Sequence, residues 1–300
     1  MRLYPHADLP ADAVVAELRT QAGLASEHGF AGVMVSEHHG GFAGYIPNPL
    51  QLAGWLLDAM PRGYAAACPL LLPLRPPALV AEEVAWLAAR FPQRVAVGFA
   101  AGALPGDFEI MDVSMENLTA RFAAALAEVT RLLSGGADDG RLALDPAIAR
   151  CADHPVPIVS AAASVTAAQR AARIGIGIIF DSLSTPQRCR ELTDAYRAAG
   201  GPGPCVLIRR AWVGKPPGES VARQLDVYRS YSPPAAQAHW QGEQLVASDA
   251  RAVAAGLLDA METAGCDCVN VRVHVPGVAR ELAREQIRRL GDEVVPQLRI

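Results

Sequence analysis

Residues 64–98 read YAAACPLLLPLRPPALVAEEVAWLAARFPQRVAVG. The stretch holds a strand, a helix and a second strand. Tyr64 to Leu72 is a short apolar run, and Arg94 to Gly98 is another. Pro77 to Phe91 between them is helical, with proline at its first turn, where no N–H is needed. Strands that are apolar throughout, without alternation, belong to a parallel sheet covered on both faces.

The same alternation continues in both directions. Upstream, MRLY opens the chain as a short strand and Ala11 to His28 is a helix. Gly32 to Ser36 is the second strand and Pro49 to Met60 its helix. Downstream, Ser114 to Leu133 is helical, and Pro157 to Ser160 is a strand followed by a helix over Val165 to Ile174. Gly177 to Phe180 and Cys205 to Val213 are strands, with a helix over Pro186 to Ala199 between them. Helical patterns at Ser220 to Tyr228 and Ser248 to Ala264 precede a last strand, Cys268 to Val273, and a helix over Val278 to Leu290. Eight strand–helix units in 300 residues predict an α/β fold: a single (β/α)8 TIM barrel spanning residues 1–300, with short insertions at the strand ends. The insertions fall on 134–155 and 228–242. No GxGxxG follows the first strand, which argues against a doubly wound dinucleotide fold.

Composition narrows the function classes. The net charge is −4 and the basic residues are scattered, so no nucleic-acid partner is expected. No long apolar stretch and no signal-peptide core occur, so we expect no membrane span and a cytoplasmic protein. The six cysteines read as reduced thiols. Cys266 and Cys268 lack a second pair at zinc spacing, and no HxH motif is present, so no metal site is expected.

In such a barrel the chemistry sits at the C-terminal strand ends. Glu37, His38 and His39 end the second strand, ahead of a glycine-rich loop. A histidine there can serve as acid, base or donor near neutral pH, or the group is a polar pair capping the next helix. Cys68–Pro69 lies on the third strand, where proline marks either a cis bond or a bulge. Gly98, Ala101 and Gly102 end the fourth strand and are small enough for a ligand to approach the backbone. Ala163, Ser164 and Thr166 lead from the fifth strand into its helix, where Ser164 can cap the helix, help bind an anion, or both. Asp181, His239, Trp240 and His274 can line the same mouth or serve as ordinary surface and packing residues.

Four stretches together resemble the luciferase-like monooxygenases: VSEHHGGFAGYIPNPLQLAG (35–54), LLLPLRPPALVAEEVAWLAARFPQRVAVGFAAG (70–102), PIVSAAASVTAAQRAARIG (157–175) and VRVHVPGVARELAREQIRRLGDEVVPQL (271–298). The resemblance implies a barrel that binds reduced FMN or, in some branches, the deazaflavin coenzyme F-420. The family's catalytic histidine falls on His38, with Glu37 and His39 beside it. A cis peptide that backs the flavin ring falls on Cys68–Pro69, and the phosphate turn on Ala163, Ser164 and Thr166. One departure stands out. Relatives place a phosphate-clamping arginine where this chain has Ala101, leaving Arg170 or Arg173 to compensate.

The resemblance implies an oxidoreductase, in first place a two-component monooxygenase using reduced FMN and molecular oxygen on a small organic substrate. A separate flavin reductase is its expected transient partner, and a homodimer its expected state. The nearest rival is an F-420-dependent reductase or dehydrogenase. A rival of another class is a non-catalytic subunit that stabilises a partner; Ala101 favours it and the intact Glu37–His38–His39 motif opposes it.

Overall fold

A computed structural model describes residues 1–42, 44–136, 140–231, 237, 240, 245–273 and 275–298. Eight strands occur among them: β1 (Gly32–Val35), β2 (Tyr64–Leu71), β3 (Val95–Ala100), β4 (Ile158–Ala161), β5 (Gly177–Ile179), β6 (Cys205–Val213), β7 (Leu245–Ser248) and β8 (Cys268–Arg272). The helices are α1 (Ala11–Glu27), α2 (Pro49–Ala59), α3 (Pro77–Arg90), α4 (Pro105–Ile110), α5 (Leu118–Leu133), α6 (Pro146–Arg150), α7 (Val165–Arg173), α8 (Pro186–Ala198), α9 (Gly218–Tyr231), α10 (Ala250–Ala264) and α11 (Arg280–Arg289).

Every strand pairing is parallel, and the strands form one curled sheet in the order β1 through β7, with β8 also on β6. Three helix starts at the C-terminal strand ends are capped by short polar side chains. Asn48 accepts from the Gln51 N–H, Ser164 from Ala167 and Thr185 from Arg188. These bonds satisfy first-turn donors that have no partner within the helix.

The two faces of the sheet have separate cores. Val33 and Val35 of β1 join the large cluster that α1, α2 and α3 complete. Met34, between them, joins Ala66, Cys68, Ile179, Val206 and Ile208 in a second cluster on the inner face. That division is the two-residue period of a strand.

Two expectations need correction. MRLY does not form a strand: it contributes isolated bridges from Arg2 to Met34 of β1 and to Arg272 of β8. The Arg2 N–H donates to Val271 and the Leu3 N–H to Met34. Pro5 follows two residues later and has no N–H with which to extend a ladder. In its place β7 is a strand the sequence did not signal. It pairs with the C-terminal half of β6, from Arg210 to Val213, while β8 takes the N-terminal half, from Val206 to Arg210. Among the described residues, no helix is long and apolar enough to cross a membrane.

Candidate active site at the C-terminal strand ends

β1 ends at Val35, and the next residues carry the first cluster of polar groups. His38 Nδ1 lies 2.7 Å from Asp107 Oδ2, and the His39 N–H donates to Asp107 Oδ1 at 2.8 Å. Asp107 is fully buried, yet its pKa is lowered. Burial works against its ionisation, but the hydrogen bonds from His38 and His39 outweigh it. An ionised carboxylate only accepts, so Nδ1 of His38 carries the proton and Nε2 is the free nitrogen. The ring packs edge-on against Tyr45, with centroids 4.5 Å apart, and against Phe42 at 4.9 Å.

Glu37 and His39 pair with each other instead. His39 Nε2 is 2.9 Å from Glu37 Oε1, and Glu37 also accepts from Arg75 and from the Leu71 N–H. Burial raises the Glu37 pKa despite Arg75, Leu71 and His39 acting in the opposite direction. Its carboxylate ties the β1 end to the β2 end.

The Cys68–Pro69 bond is cis, as the resemblance implied. Gly98 lies against it: a Cβ there would come 2.1 Å from Cys68 Sγ and 3.1 Å from Val159. Only glycine fits at that approach. Gly102 has φ +83°, and its missing Cβ would meet the Phe108 ring at 2.9 Å. Phe99 of β3 is in register with Ser160 of β4, so residues 100–102 and 161–164 leave the sheet side by side. Ser164 caps α7, and Ala163, Ser164 and Thr166 are exposed.

Ala101 offers no cation, and neither named substitute stands at the turn by contact. Arg170 packs over the Phe122 ring of α5 at 5.3 Å. Arg188 of α8 is the cation that touches the turn, donating to the Ala163 carbonyl at 3.3 Å. Sequence reasoning passed over it because it lies in the following unit.

A cavity of about 230 Å³ opens at this end. Pro69, Ala161 and Ile179 form part of its wall, together with Tyr4, Tyr45 and Tyr228. Trp240 lines it too, bridged to Ser184. Asp181 is on the rim, its oxygens taken by Leu183 N–H, Ser184 N–H and the Ser184 hydroxyl. His239 and His274 lie outside the described residues.

The cavity also holds Arg2 and Arg272, which the sequence reading did not single out. The available signal was arginine within otherwise apolar strand segments, a position where a charged residue is seldom buried without cause. Asp107 was missed as well. In Pro105-Gly106-Asp107 it reads as an ordinary acidic residue in a helix's first turn.

A larger cavity, about 710 Å³, opens at the opposite, N-terminal strand ends. Its walls include Gly32, Tyr64, Val95, Gly177, Val206 and Asn270. Neither cavity's lining includes Glu37, His38, His39 or Asp107, but Tyr45, which lines the smaller one, packs edge-on against the His38 ring. Size therefore points to the N-terminal end, while the paired titratable groups cluster at the C-terminal end, where the smaller cavity opens. Among the described residues, no group of three or more His, Cys, Asp or Glu side chains could hold a metal ion.

The family model for luciferase-like monooxygenases matches residues 3–265. Monooxygenase RslO1 from Streptomyces bottropensis superposes with a TM-score of 0.81 at 21% identity, covering 100% of this chain and 99% of its own. The oxygenating constituent of 3,6-diketocamphane monooxygenase from Pseudomonas putida, solved with FMN, gives 0.80 at 16% identity, covering 99% and 96%. An F-420-dependent secondary alcohol dehydrogenase, solved with an F-420–acetone adduct, gives 0.71 at 18%, covering 95% and 96%. No curated protein matches the sequence directly. At these identities the solved structures speak for the fold, and the family match over most of the chain carries the assignment. This chain belongs to the luciferase-like monooxygenase family.

Proposed function

We propose that this chain is a flavin-dependent monooxygenase that uses reduced FMN and molecular oxygen on a small organic substrate. In this reading residues 1–300 form one complete (β/α)8 barrel, closed where Arg2 bridges β1 and β8. The observation that carries the reading is the His38–Asp107 pair, set at the same strand ends as the cis Cys68–Pro69 bond and the Ser164-capped start of α7.

The residues present fit a flavin. Gly98 leaves room for the Cys68 side chain, which seats the Cys68–Pro69 segment, and Pro69 forms part of the cavity wall. The phosphate is assigned to Ser164, Thr166 and the first-turn N–H groups of α7, with Ala163 at the turn. Arg188, paired with Glu191 at 2.6 Å, brings a cation to the turn in the absence of one at Ala101. Cys68, Pro69, Gly98, Ala101 and Gly102 form the floor and edge of the ring site.

When bound, reduced FMN supplies the electrons that activate oxygen. The protein's own groups do the rest. Asp107 holds His38 in the tautomer with a free Nε2, and that nitrogen donates or accepts the proton that accompanies oxygen transfer. Glu37 and His39, grouped with His38 as catalytic candidates, act by fixing the loop that carries His38. Tyr45 and Phe42 pack on the His38 ring and limit water around it.

We further assign a separate flavin reductase as transient partner, a cytoplasmic location and a homodimer. Trp55 of α2 and Leu79 and Trp86 of α3 are exposed, and such a patch suits pairing. Sedimentation or light scattering checks the dimer directly.

The function is tested by anaerobic titration with reduced FMN beside reduced coenzyme F-420, followed by admission of oxygen. The reading expects FMN in the micromolar range and oxygen uptake that depends on His38. Binding of F-420 alone, with hydride transfer and no oxygen uptake, would replace it with the deazaflavin enzyme. Binding of neither would leave a non-catalytic subunit.

A further inference from the structure

Arg2 and Arg272 are 7% and 3% exposed, and both line the 230 Å³ cavity. Among the described residues, neither pairs with a carboxylate. Arg2 donates to the Ser36 hydroxyl at 3.3 Å and to the Cys68 carbonyl at 2.8 Å. Arg272 donates to the Ser182 hydroxyl at 3.0 Å, to Gln224 at 3.0 Å and to the Tyr228 hydroxyl at 2.6 Å. Nε of each arginine is buried without a hydrogen-bond partner. Among the described residues, the one carboxylate on the cavity's lining, Asp181, is exposed and spends its oxygens on its own loop.

Arg209, 1% exposed, is likewise held by the Ile208 and Ser184 carbonyls, whereas two buried carboxylates are neutralised by arginine. Glu17, 3% exposed, is met by Arg284, and Glu37 by Arg75. Two guanidinium groups in one small pocket, held only by neutral acceptors, leave a positive potential directed into it. Desolvated charges of this kind are expensive unless an opposite charge is present. The missing charge fits a ligand.

The walls specify what carries that charge. Tyr4, Tyr45, Tyr228 and Trp240 surround the guanidinium pair, and Arg272 stacks over the Tyr4 ring at 4.3 Å. A cavity of roughly 150 Å³ is enough to admit benzene, and this one measures about 230 Å³. We propose that the substrate binds here as a single-ring aromatic oxyanion, its ionised oxygen facing Arg2 and Arg272 and its ring among the tyrosines. The proposal rests on the flavin reading, since it names the substrate class of the same site.

Tyr228 is built into this arrangement. Burial opposes its ionisation, but Arg272 and Arg210 outweigh it and lower its pKa, while the neighbouring Tyr45, 3.1 Å away through the hydroxyls, is raised. Among the described residues, the groups facing Tyr228 include two arginines, Arg272 and Arg210, and the Tyr45 phenol. They favour a negative oxygen beside Tyr228.

The probe is 4-nitrophenol, whose ionisation is visible by absorbance, titrated into the protein with and without saturating FMN against a matched FMN blank. Bound probe is expected to ionise at least one pH unit lower than in water, with FMN present. 4-Nitrotoluene, a neutral analogue of the same shape, is expected to bind at least tenfold more weakly to the unaltered protein. Arg272→Met is expected to abolish the pH shift. Equal binding of the two probes, a shift in the opposite direction, or no binding of 4-nitrophenol overturns the proposal. Competitive displacement of the probe by FMN also overturns it, because the arginines then serve the flavin, whose binding stands. Binding of the phenolate without any binding of FMN supports the anion pocket and removes the flavin reading.

Discussion

The two ends of the sheet make opposite use of space. The N-terminal end has the larger cavity, about 710 Å³, with mostly apolar walls and Asn270 as a buried amide lacking a partner. The C-terminal end has about 230 Å³, but it gathers Arg2, Arg272, Tyr45 and Tyr228, with His38–Asp107 packed behind Tyr45. Void volume follows from small inward side chains such as Ala66 and Ala96. Chemistry follows from loops, because only there can polar side chains be added without breaking the sheet's apolar faces. Volume alone selects the N-terminal end, and the clustered polar groups select the C-terminal one.

The contrast can be broken most strongly at His38. His38→Ala should lower kcat by about 10²–10⁴-fold, the usual worth of a positioned proton-transfer group, in a steady-state assay with reduced FMN. Retention of the full rate would remove the C-terminal end from the chemistry.

Asp107→Asn should cost less. A hydrogen bond to a charged group contributes about 1.5–3 kcal/mol, roughly 10- to 100-fold in rate. The same substitution carries a pH signature. The Asp107 pKa is depressed from its ordinary 3.8 in the folded state. Its ionised form therefore stabilises the fold above that value, and the contribution is lost as pH falls through the lower folded pKa. Melting temperature plotted against pH should fall less steeply on the acid side for Asp107→Asn than for the unaltered protein.

Gly98→Val should disturb the Cys68–Pro69 floor and cost about 1–3 kcal/mol of stability through overpacking, read by denaturant unfolding. The smallest effect on rate belongs to the other end. Asn270→Leu removes an unsatisfied buried amide, a penalty of about 1–3 kcal/mol, so the melting temperature should hold or rise while kcat stays unchanged.

Much of the frame was legible in the sequence, for a physical reason. Runs such as Arg94 to Gly98 and helix starts such as Pro77 carry their local preferences openly, and β2, α3 and β3 lie where those preferences put them. Strand β7 was not legible, because four residues paired to half of one neighbour carry little pattern of their own. MRLY gave the right place but too much regularity, since Pro5 stops the ladder.

The candidate site divides the same way. His38, Glu37 and Pro69 could be read because they sit next to the strands that announce them. Asp107 reaches His38 across 69 positions of sequence, and Arg2 meets Cys68 across 66. Such pairs exist only once the sheet has curled. Arg188 belongs with them, acting on the turn of a preceding unit.

The most direct test is an equilibrium titration of FMN into three proteins: unaltered, Gly98→Val and Asn270→Leu, each checked for folding by circular dichroism. The account predicts at least a tenfold loss of affinity in Gly98→Val and less than a twofold change in Asn270→Leu. Undiminished binding in Gly98→Val together with loss in Asn270→Leu would place the flavin at the N-terminal end and contradict the account.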